Sequence, residues 1–240
     1  MEATVPWRVR DAALTFALGL GGVALLFAAA IGLDALQGPS AAVSTRPPAP
    51  PAALAAGATS VFYLILLMGV WLLVVRRYGV SWRTLGLAPP RAASLLPVLL
   101  LAALFIIGST LILLMATLAV GALGGPAYLA PAGGAPRAGT AGLVLLAVVT
   151  SLLLAPVAEE LFFRGVLYQA MRQRMGKLLA TGGSALLFTL VHARLAVTPE
   201  SFLLGVVLAL SFERTGSLYP SMCIHAAYNG VIVALALHAA

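Results

Sequence analysis

At 12–33, 55–75 and 94–123 this chain runs for about 20 residues or more without a charged side chain. At a rise of about 1.5 Å per residue each run can cross the roughly 30 Å hydrocarbon core of a bilayer as a helix. Four further apolar runs lie near 141–172, 178–195, 200–213 and 219–238, the sixth being shorter than a full span. The predicted fold is therefore all-α, a polytopic transmembrane bundle of about seven helices, six to eight, with any reaction site in a cavity within the membrane. Composition agrees, because 62% hydrophobic and 9% charged residues with a mean hydropathy of +1.06 lie far outside the soluble globular range.

A net charge of +7 and an isoelectric point near 10.3 would also suit a nucleic-acid partner. The basic residues do not form one run interleaved with aromatics, however, and nucleic acid is excluded on that ground. They sit at the ends of the apolar runs. With the amino terminus inside, Arg8, Arg10, Arg76, Arg77, Arg83, Arg91, Arg172, Arg174, Lys177 and Arg214 fall on the cytoplasmic side and Arg46, Arg137 and Arg194 outside. This predicts a multi-pass protein of the plasma (inner) membrane with a cytoplasmic amino terminus. The first apolar run exceeds a signal-peptide core and reads as a retained anchor. Stretches 38–51 and 124–139, rich in Pro, Ala, Ser and Gly, read as outer connectors. Cys223 is the single cysteine, which excludes an intrachain disulfide framework, and it is expected as a small core residue.

Against this background the run 155–165 is costly, since it places Glu159, Glu160 and Arg164 inside a span. Each such side chain opposes insertion by roughly 2.5 to 3.5 kcal/mol, so a use for all three is expected. Pro156 precedes them and predicts a kink. Glu160 and Arg164 are i and i+4, on one helix face and able to pair, whereas Glu159 points about 100° away and is free to face a cavity as a general base. A purely structural ionic knot would need one acid for Arg164 and leaves the second carboxylate without a purpose. His192 ends the fifth run, and His225 and Asn229, again i and i+4, share a face of the last one. Helical rise puts Glu160 about 18 Å, His192 about 22 Å and Asn229 about 14 Å above the inner ends of their helices, levels compatible with one cavity.

A carboxylate, two imidazoles and an amide in a protected cavity can hydrolyse an amide bond: the carboxylate deprotonates water, and His or Asn donors stabilise the oxyanion. Glu159, His192 and His225 could equally hold a divalent metal such as Zn²⁺, and spacing leaves both mechanisms open. His-Glu-x-x-His and Gly-x-Ser-x-Gly are absent, Asp11 and Asp34 flank one span rather than facing each other from two, and no phosphate-binding glycine loop is present.

Glu159-Glu160-x-x-x-Arg164, Phe188-x-x-x-His192 and His225-x-x-x-Asn229, in this order on successive apolar helices, closely resemble the CAAX protease and bacteriocin-processing family, which includes type II CAAX prenyl endopeptidases and the bacterial proteins often called Abi. The resemblance covers roughly 141–235. It implies an intramembrane endopeptidase in which Glu159 and His192 activate water, His225 and Asn229 stabilise the oxyanion, and Glu160 and Arg164 orient the apparatus. It further implies a peptide or membrane-protein substrate met in the lipid bilayer; eukaryotic relatives remove the last three residues of prenylated proteins. On this reading 1–240 is one membrane domain, with variable N-terminal spans at 1–140 and a catalytic core at 141–240. Two other classes stay open: a non-catalytic scaffold, peptide-binding or immunity protein using the same cavity, and a proton-coupled transporter with Glu159 and His192 as relay.

Overall fold

A computed structural model describes residues 4–36, 52–122, 141–192 and 199–238. The connectors expected at 38–51 and 124–139, with Arg46, Arg137 and Arg194, lie outside these residues. Among the described residues the secondary structure is helical without strands. The helices are α1 (Val9–Leu36), α2 (Ala52–Val70), α3 (Leu95–Ala122), α4 (Ala141–Val149), α5 (Ala155–Glu160), α6 (Gln169–His192), α7 (Pro199–Thr215) and α8 (Leu218–His238). Five segments are long and apolar enough to cross a membrane: Val9–Leu26, Gly57–Arg76, Ala92–Ala119, Ala141–His192 and Leu218–Leu235. α7 is not among them, in keeping with the short sixth run. The chain is thus an all-α bundle of the polytopic type.

The fourth and fifth runs form one helical path from α4 to α6, broken only where Gly176 adopts φ 78° and ψ 177°. That left-handed φ suits glycine and lets the chain reverse between two spans. Three π-helical stretches interrupt the regular pitch: Trp71–Arg76 after α2, Thr150–Leu154 between α4 and α5, and Leu161–Tyr168 between α5 and α6. The kink expected at Pro156 takes this form, since the proline occupies the first turn of α5 immediately after a π turn. Side chains also reach carbonyls of the third stretch. Trp7 Nε1 donates to Val166 O at 3.0 Å and Gln169 Nε2 to Gly165 O at 2.8 Å.

The basic segments gather at one end of the bundle. Val5 N–H donates to Gln173, Gln169 reaches Thr84 O, Arg91 N–H bonds Thr215 O, and Arg172 pairs with Glu213 at 3.1 Å. Asp11, fully buried, accepts from Tyr78 Oη at 2.9 Å and faces Arg77 at 3.5 Å.

α6 and α7 meet through small residues. A Cβ added at Gly205 would lie 2.9 Å from both Cα and Cβ of Ala185, so the two helices approach backbone to backbone. Gly205→Ala should therefore destabilise the protein by about 1–3 kcal/mol in detergent unfolding. Gly182→Ala, whose Cβ meets nothing within 4 Å, should show no loss.

One expectation is corrected. Cys223 is exposed, not core. Apart from the polar residues on its inner face, α8 is apolar, and a surface that faces lipid is as apolar as the interior, so a small apolar residue such as cysteine does not report which face it lies on.

Candidate active site

Glu159 and Glu160 end α5 and diverge by about 100°, as adjacent helical residues must. Both are buried, with residue exposures of 4% and 0%. Glu160 Oε1 accepts from Arg164 Nη1 at 2.6 Å, the i, i+4 pair read from the spacing. Arg164, itself fully buried, also donates through Nη2 to Gly205 O at 3.0 Å and lies 4.8 Å from the centre of the Phe188 ring. Buried charge is tolerable only when paired and hydrogen-bonded, and this guanidinium is tied to its own helix, to α7 and to α6.

Glu159 faces the other way. Its Oε2 lies 3.3 Å from His192 Nε2 and 3.6 Å from His225 Nε2, so side chains from α5, α6 and α8 meet at one carboxylate oxygen. The two imidazoles are held from behind. His192 Nδ1 is 2.7 Å from Phe188 O, and His225 Nδ1 is 3.1 Å from Glu160 Oε1. A carbonyl and an ion-paired carboxylate only accept, so both Nδ1 atoms carry the hydrogen, and in the neutral rings both Nε2 lone pairs point at Oε2. Phe188 braces the set: it stacks on His192 at 4.2 Å between ring centres and meets His225 edge-on at 5.6 Å.

Glu160 thus serves Arg164 and His225 together, a second role that the i, i+4 spacing does not show. Asn229 is placed by the backbone. Ala155 N–H bonds Thr150 O, five residues back, so in this π register Ser151 O would pair with residue 156. That residue is Pro156, which has no N–H. Asn229 Nδ2 supplies the missing donor at 2.8 Å. One amide hydrogen is used in this way, and the side chain still lines the same cavity.

Two cavities meet at Glu159. One, of about 370 Å³, has mostly apolar walls that include Phe16, Leu20, Phe62 and Leu66. The other, of about 340 Å³, carries Thr150, Ser151, His225, Tyr228 and Asn229. Glu159, His192 and Tyr63 line both. The His192 side chain is 34% exposed and that of His225 3%, so His192 is the imidazole that faces open space.

Glu159, Glu160, Arg164, His192 and His225 are therefore in one connected network, and Asn229 lines the same cavity through its bond to Ser151. Sequence reasoning missed Tyr63, whose hydroxyl donates to Glu159 Oε1 at 2.5 Å from α2. The faint signal was a cluster of hydroxyls, Thr59, Ser60 and Tyr63, in an otherwise apolar run. Among the described residues no group of three His, Cys, Asp or Glu side chains is arranged to hold a metal ion.

No curated protein and no solved structure matches this chain. Over residues 141–231, which carry all three motifs, it matches the family model described as Type II CAAX prenyl endopeptidase Rce1-like, the family that the motifs resemble.

Proposed function

We propose that this chain is an intramembrane endopeptidase that hydrolyses peptide bonds with a water molecule activated by Glu159 and His192. The observation that carries the reading is the meeting of three proton-exchanging atoms, Glu159 Oε2 and the Nε2 atoms of His192 and His225, beside open cavities. With both histidines neutral, their Nε2 lone pairs face Oε2, and a water seated there brings the two hydrogens that join them. With one O–H on Glu159 Oε2 and the other on His192 Nε2, the water oxygen turns its own lone pair toward a carbonyl carbon in the cavity. As the C–O bond forms, a water proton passes to Glu159, which then delivers it to the leaving nitrogen as the C–N bond breaks. Asn229, through the amide hydrogen not used on Ser151, faces the developing oxyanion, and His225 does so when a proton taken up from solvent occupies its Nε2. Glu160 and Arg164 hold His225 in place from behind.

The substrate is a peptide or a membrane-protein segment presented within the bilayer. The excess of basic residues at one end of the bundle supports an amino terminus on the cytoplasmic side of an inner membrane. Zn²⁺ held by Glu159, His192 and His225 is the competing route to an activated water, and it predicts a different outcome. Purified protein in detergent should cleave members of a peptide library, and cleavage should survive dialysis against a strong chelator. Stoichiometric bound zinc together with chelator-sensitive cleavage would overturn the metal-free mechanism. No cleavage under any condition would favour the non-catalytic scaffold.

A further inference from the structure

Tyr63 belongs to α2, 96 residues before Glu159 and outside the segment 141–231 that matches the family model. Its hydroxyl nevertheless donates to Glu159 Oε1 at 2.5 Å, one of the shortest polar contacts described in the protein. The carboxylate is thereby divided: Oε1 is taken by Tyr63, and Oε2 makes no hydrogen bond with the described residues while facing His192 and His225. A carboxylate on a three-carbon stem turns easily about its last bond. Pinning one oxygen fixes where the lone pairs of the other point. The Tyr63 ring is itself fixed, packed edge-on against Phe62 at 5.4 Å between centres, on a helix that lies along α1 and α5.

We infer that Tyr63 is a positioning residue of the hydrolytic site: it orients Glu159 so that Oε2 is the oxygen presented to water and to the histidines. The inference rests on the proposed role of Glu159 as base. It also makes α2 a working part of a site whose motifs all lie downstream.

The test is a double-mutant cycle of Tyr63→Phe and Glu159→Gln on a cleaved peptide, with kcat and KM measured separately and thermal unfolding in parallel. Tyr63→Phe keeps the ring and its packing, so the unfolding temperature should change little, while kcat falls about 10- to 10²-fold, as expected for loss of a hydrogen bond to a charged group, with KM nearly unchanged. In the Glu159→Gln background the same change should have little further effect, because Tyr63 acts only through that carboxylate. Equal effects of Tyr63→Phe in both backgrounds, a change confined to KM, or an undiminished kcat would overturn the inference. Full cleavage by Glu159→Gln alone would instead sink the reading of Glu159 as base, so the two failures are distinguishable.

Discussion

Glu159→Gln should lower peptide cleavage by at least about 10²-fold while leaving the fold intact. The amide is nearly isosteric with the carboxylate, its carbonyl oxygen can still accept from Tyr63 Oη, and its NH₂ can still donate to a histidine Nε2. What it cannot do is accept a proton from water. The substitution also removes a buried charge, so the unfolding temperature should hold or rise slightly. Cleavage assayed on purified protein, with circular dichroism for folding, separates loss of chemistry from loss of structure. Activity within a few-fold of wild type in a folded Glu159→Gln protein would defeat the assignment.

The largest effect on stability should come from Arg164. Arg164→Met would leave Glu160, fully buried, with His225 Nδ1 at 3.1 Å as its remaining polar partner, and would take its side-chain donor from Gly205 O. Breaking a buried pair from one side costs about 3–5 kcal/mol, because the surviving charge is stranded in a low-dielectric interior. The protein should accumulate poorly and unfold at markedly lower temperature. Arg164→Lys should rescue only part, since an ammonium keeps the charge but cannot reach Glu160 and Gly205 O as a planar fork and stack on Phe188. The double change Arg164→Met with Glu160→Gln should be less destabilised than Arg164→Met alone. A single Arg164→Met protein as stable as wild type would show that the pair contributes nothing to holding α5, α6 and α7 together.

The apolar runs and the three motifs made the helical bundle and the Glu160–Arg164 pair legible from sequence. Both depend on periodicity along one helix, and local periodicity is what a sequence displays. The union of His225 with Glu160 is a contact across 65 positions, and the Tyr63–Glu159 bond spans 96. Neither leaves a spacing to read. The role of Asn229 was hidden differently. It depends on a π turn whose unpaired Ser151 carbonyl exists because Ala155 reaches back one residue further than an α-helix would and Pro156 has no hydrogen to offer. Proline alone announced a disturbance, but not which carbonyl would be left open. Cys223 failed for another reason: in a chain whose lipid-facing and buried surfaces are equally apolar, residue character does not report depth.

The position of α8 in chain order has a bearing on biogenesis. It supplies His225 to a network otherwise drawn from α2, α5 and α6 and Asn229 to the cavity beside it, and it follows all of them along the chain. In chain order the two glutamates and His192 are made before His225, so the network is assembled last at α8. On the proposed function, the site is complete only once α8 is in place, and the Glu159 carboxylate lacks its second histidine until then.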